Sequence, residues 1–149
     1  MPYCTETDLL TMITSDTLIQ LTDDENTGEV VSEIIDSAIE AADSEIDLYL
    51  QAIYSAPLST VPAIIKFISV NFTIYNLYGR RSDMSIPETR KSKYDSGIDI
   101  LKKIQDGSIA IQGATATTEG GPKNSASLSD RIFLSTRGSS TGTFEGFTL

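Results

Sequence analysis

The stretch EIDLYLQAIYSAPLSTVPAIIKFISVNFTIYNLYGRR, residues 45–81, decides the fold. It reads as the end of one helix, a proline turn, and a second helix that is apolar almost all round. Val61, Ile64, Ile65, Ile68, Phe72, Tyr75 and Leu77 or Tyr78 recur at steps of three and four, which sets them on one broad helical face. Phe67, Val70 and Ile74 extend that face nearly to the full circumference, and a helix without a polar side has to be buried. It is not a bilayer span, because Lys66, Asn71 and Asn76 interrupt the run at depths where hydrocarbon accepts polar groups only at high cost. Pro57 and Pro62 bracket the turn. Pro62 suits the first turn of the second helix, where its missing N–H forgoes no bond, with Ser59 or Thr60 as the expected cap.

Upstream, residues 29–53 form the clearest amphipathic pattern of the chain. At about 100° per residue, Val31, Ile35, Ala38, Ala42, Ile46 and Tyr49 fall on one side. Glu29, Glu33, Asp36, Glu40, Asp43 and Asp47 fall on the other, with no intervening base, so the stripe gains no i,i+4 ion pairing and suffers like-charge repulsion. Such a stripe is either a solvated face or a surface meant to repel an anion. Before it, Thr5 and Asp8 have capping-box spacing and open a short helix with Leu9, Leu10 and Ile13; residues 16–21 add a second short piece with Leu18, Ile19 and Leu21. The loop TDDENTG, residues 22–28, invites a calcium reading. That reading fails on register: with Gly28 at the sixth position of an EF-hand loop, the twelfth is Ile34 and not a bidentate Glu.

Downstream, Ser85 and Glu88 form a capping box with Pro87 in the first turn. The helix that follows sets Tyr94, Ile98, Leu101 and Ile104 on one face before Gly107 ends it. Ile109 and Ile111 flank Ala110 in an extended segment that leaves room for one short strand at 108–112. After Gly113 the composition changes: Gly, Ser and Thr supply nineteen of the last thirty-seven residues, which reads as linker. Two apolar clusters interrupt it, Leu128, Ile132, Phe133 and Leu134, then Phe144, Phe147 and Leu149; they are the expected anchors of an arm that orders on a partner. The expected fold is mainly α: a small helical bundle over residues 1–112, with a long extended C-terminal arm over 113–149.

Composition narrows function. Acids outnumber bases 21 to 11, for a net charge of -10, which argues against binding nucleic acid by neutralising phosphates and against docking on an anionic membrane. The charge is divided: thirteen carboxylates fall in the first fifty residues and no Lys or Arg precedes Lys66. The segment 79–103 then carries Arg80, Arg81, Arg90, Lys91, Lys93, Lys102 and Lys103. These two parts attract each other within one chain or, between copies, set a head-to-tail order. The chain has no histidine and one cysteine, Cys4, and no phosphate-binding or nucleophile-elbow motif. Neither a metal site nor a cofactor is expected, and its carboxylates lie among polar neighbours where no pKa would be raised for acid–base work. The expectation is a protein that is not an enzyme, with no disulfide and no signal peptide, kept in a reducing cytosol.

The spaced set Glu45-Ile46-Asp47-x-Tyr49-Leu50, Tyr54, Pro57-Leu58, Val61-Pro62 and Tyr75-x-Leu77-Tyr78-x-Arg80-Arg81 resembles the head-to-tail connector proteins of Mu-like phages and prophages. The likeness runs on through Tyr94, Leu101, Ile104 and Gly107-Ser108-Ile109, and reaches Tyr3 to Leu9 and Arg131-Ile132-Phe133. It implies a structural adaptor of the virion neck, made in the host cytoplasm, about a dozen copies of which form a ring between the portal protein and the next neck or tail-completion protein. Genome packaging and ejection would pass through that ring, without a membrane partner. Carried onto this chain, Leu128, Arg131, Ile132, Phe133, Leu134, Phe144, Phe147 and Leu149 would form a portal-docking arm. From charge rather than from the family, Glu29, Glu33, Asp36, Glu40, Asp43 and Asp47 are candidate channel lining, and Arg80, Arg81, Arg90, Lys91 and Lys93 candidate contacts between subunits. Two other readings stand beside this one: an acidic inhibitor that mimics DNA, and another neck or tail-completion protein.

Overall fold

In the computed structural model, residues 1–117 are described, and they form five helices. The arm residues from Leu128 to the C-terminus lie outside the described residues. At the centre is α4, Ala63–Arg80, with nine buried residues including the unbroken run 68–74. On one side it meets α3, Ser32–Leu50, and α5, Glu88–Gln105, which also touch each other. On another side α1, Glu6–Leu10, and α2, Ser15–Thr22, cover it. That arrangement explains why α4 is apolar nearly all round: it serves two cores. Ile65, Ile68 and Phe72 pack with Ile46, Leu50, Leu101 and Ile104. Val70, Ile74 and Leu77 pack with Leu9, Leu18, Leu21, Ile35 and Ile39. Each of these side chains, fully removed from water, contributes about 1.5–3 kcal/mol.

The approach of α5 to α4 depends on Gly97. A Cβ there would lie 2.6 Å from Cε1 of Phe72 and 3.4 Å from Cγ2 of Ile68, so a methyl group would collide with the central aromatic ring. Tyr94, one turn earlier, lies against Phe72 with ring centroids 4.5 Å apart and stacks on Tyr75 at 4.2 Å.

Several boundaries differ from the sequence reading, each for a local reason. The helix expected from residue 29 starts at Ser32, so Glu29 stands off it. The Asp23 carboxylate collects the N–H groups of Thr27 at 2.9 Å and Gly28 at 2.7 Å, Gly28 turns at φ 81°, and the Val31 N–H donates to Thr22 Oγ1 at 3.3 Å. These bonds hold 23–31 as a loop. The same helix stops at Leu50, whose carbonyl accepts from both Ile53 and Tyr54 in a closing turn. Its buried face is Ile35, Ile39, Ala42, Ile46 and Leu50. Neither Ser59 nor Thr60 caps α4, and Ser85 does not cap α5; a proline, Pro62 and Pro87, occupies each N-cap, with its carbonyl accepting the first helical bonds. Gly107 does end α5, at φ 75°, with Ser108 N–H donating to Lys103 O and Gly107 N–H to Ile104 O.

In place of a strand at 108–112, the chain turns back and buries Ile111, whose N–H donates to the Tyr54 hydroxyl at 2.8 Å. A single antiparallel bridge forms further on, between Tyr54 and Ala116, flanked by Ser55 N–H to Thr115 O and Thr117 N–H to Ile53 O. Residues 114–117, linker by composition, are therefore held on the body. Among the described residues no helix is long and apolar enough to cross a membrane.

Candidate functional site

The outer face of α3 and the N-terminal segment that crosses it form a groove of about 500 Å³ carrying the carboxylates of Glu6, Asp36, Glu40, Asp43 and Asp47 above Ile39. The carboxylates along this side of α3 are not equivalent. Glu33, Asp36 and Glu40 are exposed, whereas Asp43 and Asp47, two turns on, are half-buried under residues 1–5.

Tyr3 makes the difference. Its backbone N–H donates to Asp43 Oδ2 at 2.8 Å, its hydroxyl donates to Asp47 Oδ1, and the same hydroxyl accepts the Leu58 N–H at 3.0 Å. One side chain thus ties the N-terminus, α3 and the proline turn together. Below it, the Thr73 hydroxyl donates to the Ser69 carbonyl at 2.8 Å, and the Ser69 hydroxyl donates to Asp43 Oδ1 at 2.7 Å. Cys4 Sγ sits 3.2 Å from the Ser69 oxygen and 3.6 Å from Thr73 Oγ1. Ser69 and Thr73 are fully buried, so each needs these partners. Burial pushes the Asp43 carboxyl above its ordinary value against the pull of Ser69 and Tyr3, and pushes up the Cys4 thiol and the Tyr3 phenol as well. A buried thiol kept protonated is a packing group and a poor nucleophile. On the other side of α3, Tyr94 donates to Glu45 Oε1 at 2.6 Å, and burial, then this carboxylate, raise the Tyr94 phenol.

The paired cations are engaged with other acceptors, although Arg80 lines a depression that also carries Glu33. Arg80 and Arg81 both grip Asp24, at 2.7 and 2.9 Å, and Arg80 also donates to the Leu21 carbonyl. Arg81 reaches Asp83, and Arg90 donates to the Met12 carbonyl at 2.8 Å. These three arginines pin α4 and α5 to the α2 end of the chain. Lys91 and Lys93 are exposed, as are Lys102 and Lys103, but Glu88, Asp95, Asp99 and Asp106 are exposed on the same helix and its cap, so the outer face of α5 is mixed in sign. Lys66 pairs with Asp8 at 2.8 Å, holding that carboxyl below the usual range. None of the ion pairs among the described residues reaches Glu33, Asp36, Glu40, Asp43 or Asp47.

Of the sequence-derived site residues, then, α3 brings together Glu33, Asp36 and Glu40 as an open acidic face. Asp43 and Asp47 join it but serve the fold, and Glu29 belongs to the preceding loop. The anchoring roles of Tyr3, Ser69 and Thr73 were not anticipated. Two hydroxyl residues one turn apart inside the buried run of a mainly apolar helix were the available signal. Among the described residues no group of three His, Cys, Asp or Glu side chains converges as a metal site.

A protein-family model described as "Bacteriophage Mu, Gp36" matches residues 3–129, most of the chain and all but the first two described residues. No curated protein matches the chain.

Proposed function

The chain belongs to the bacteriophage Mu Gp36 family, and from that premise we propose that this phage protein is a structural adaptor of the neck, joining the portal to the next neck or tail-completion protein. Copies of it, about a dozen, would form the ring through which the genome is packaged and ejected. The observation that carries the reading is the open acidic face of α3. Glu33, Asp36 and Glu40 are exposed and no ion pair among the described residues reaches them; Arg80, which shares a depression with Glu33, is held by Asp24, as is Arg81, and Arg90 is held by the Met12 carbonyl. A wall of this sign lets a phosphate backbone slide past without binding, since affinity for DNA comes from cations that release its counterions. The apolar clusters at 128–134 and 144–149 would dock the portal, where aromatic side chains supply most of the contact energy for little conformational entropy. Contacts between neighbouring copies would use Lys91 and Lys93, with Arg80, Arg81 and Arg90 contributing only through the parts of their guanidinium groups not held by Asp24, Asp83 and Met12.

The same open face would suit an inhibitor that occupies a phosphate-binding groove, and one experiment separates the two. Tagged full-length protein is captured from cells in which the source phage replicates, beside a variant lacking residues 125–149. The adaptor reading expects a portal protein and a neighbouring neck protein with the full chain, and loss of the portal alone with the truncated one. Capture of a DNA-binding enzyme that added duplex DNA releases would replace the adaptor with the inhibitor.

A further inference from the structure

Where the start of α4 meets the end of α5, the described residues leave a groove of about 350 Å³ lined by Pro62, Ile64, Ile100, Ile104, Ile109 and Ile111, with no charged side chain. Ile64 is 41% exposed and Ile109 40%, and Phe67, one turn further along α4, is 43% exposed. Scattered apolar residues on a surface are ordinary, but large ones gathered at a concave apolar site call for an apolar occupant.

The chain carries such an occupant within reach. Residues 109–112 form one wall of the groove, and Thr117, the last described residue, is fixed by its bond to the Ile53 carbonyl. Five chain steps lead from Gln112 to Thr117, so the two are at most about 18 Å apart. The ten residues 118–127 then span up to about 35 Å, enough to return to the groove from any exit direction. They lead to LSDRIFL, residues 128–134, with Leu128, Ile132, Phe133 and Leu134. This segment has one acid and one base, a neutral match for an uncharged groove. The later cluster, Phe144, Phe147 and Leu149, is sparser and sits on a far longer tether.

We propose that residues 128–134 of the same chain seat in the groove between Pro62–Ile64 and Ile100–Ile111 in the free protein. The short tether gives the segment an effective concentration of about 1 mM, well above any working concentration of a second copy, so the contact is intramolecular. Release of the segment would expose two apolar surfaces together, its own and the groove, for use in assembly. The proposal does not rest on the neck reading, because it concerns the isolated chain.

Amide hydrogen exchange on the full-length protein tests it, with Ile109→Glu and Phe133→Ser as variants. Ile109 is exposed enough to accept a charge without unfolding α5, and Ile64→Glu on the opposite wall is the second lesion. With an affinity near 0.1 mM for such a short segment, amides 128–134 are expected to exchange about tenfold slower in the wild type than in either groove variant. Amides 109–112 should exchange faster in Phe133→Ser, and all of this should hold over a hundredfold range of protein concentration. Equal exchange of 128–134 in wild type and both groove variants would overturn the proposal. Protection that fades on dilution would overturn it too, by assigning the segment to a neighbouring copy.

Discussion

The two halves of the acidic stripe on α3 belong to one run of three- and four-residue steps but have opposite fates. Glu33, Asp36 and Glu40 stand in solvent, while Asp43 and Asp47 hold Tyr3 and, through Ser69, the middle of α4. What separates them is the N-terminal segment, which bonds to the second half and only borders Asp36 and Glu40 across the groove. A helical stripe of charge is therefore a set of positions whose roles are assigned by whatever packs on them. Only the half left open is available to act on something outside the chain.

The sharpest way to break this comparison is to remove the anchor. Asp43→Ala leaves the buried Ser69 hydroxyl and the Tyr3 N–H without their acceptor, and should cost about 2–3 kcal/mol by denaturant unfolding. Asp43→Asn keeps an acceptor for one of the two donors and should cost roughly half as much. A loss no larger than that of an ordinary surface substitution would mean that the N-terminal segment is not tied to α3.

A smaller effect follows from pH. Lys66 holds the Asp8 carboxyl below 3.8, Arg80 does the same for Asp24, and the Gly28 N–H for Asp23. Each folded value lies under the unfolded one, so their contribution is present above about pH 4 and is lost as pH falls through the depressed values. Asp43 runs the other way: its raised folded value means that the fold gains as pH falls through that value towards 3.8. Stability should thus rise slightly on mild acidification and fall below about pH 4. Thermal melts of Asp43→Asn should lose the rise and keep the fall; the reverse pattern would reassign the groups. The smallest effect is expected from the open half. Glu33→Gln, Asp36→Asn and Glu40→Gln together should change stability by no more than about 0.5 kcal/mol, because the weak like-charge repulsion they relieve is offset by losing the Glu33 charge in the first turn of α3. A clear loss in unfolding experiments would show that these residues hold the fold too.

Much of the architecture could be read from the chain alone. The buried α4, the amphipathic α3 and the Gly107 terminator follow from periodicity and turn chemistry, which are local. What escaped the reading depends on partners distant in sequence. No pattern around Asp43 tells that Tyr3, forty residues away, will cover it, or that Arg80 and Arg81 will reach back to Asp24. Gly97 was equally silent, since its importance lies in the ring of Phe72 on another helix. The helix begun at 29 was a local error of a different kind: Asp23 holds the Thr27 and Gly28 N–H groups and Thr22 Oγ1 holds that of Val31, which keeps 23–31 as a loop. The acidic face itself was legible as a stripe of six, of which three on α3 stay exposed and without an ion pair among the described residues.

A neck adaptor as proposed would turn this open half towards passing DNA. Particles assembled with Glu33→Gln, Asp36→Asn and Glu40→Gln should contain the protein at normal copy number. Their rate of genome ejection, followed by dye entry or light scattering, should fall several-fold as the wall loses its repulsion. Ejection at the wild-type rate from normally assembled particles would contradict the claim and leave the stripe a solvated surface.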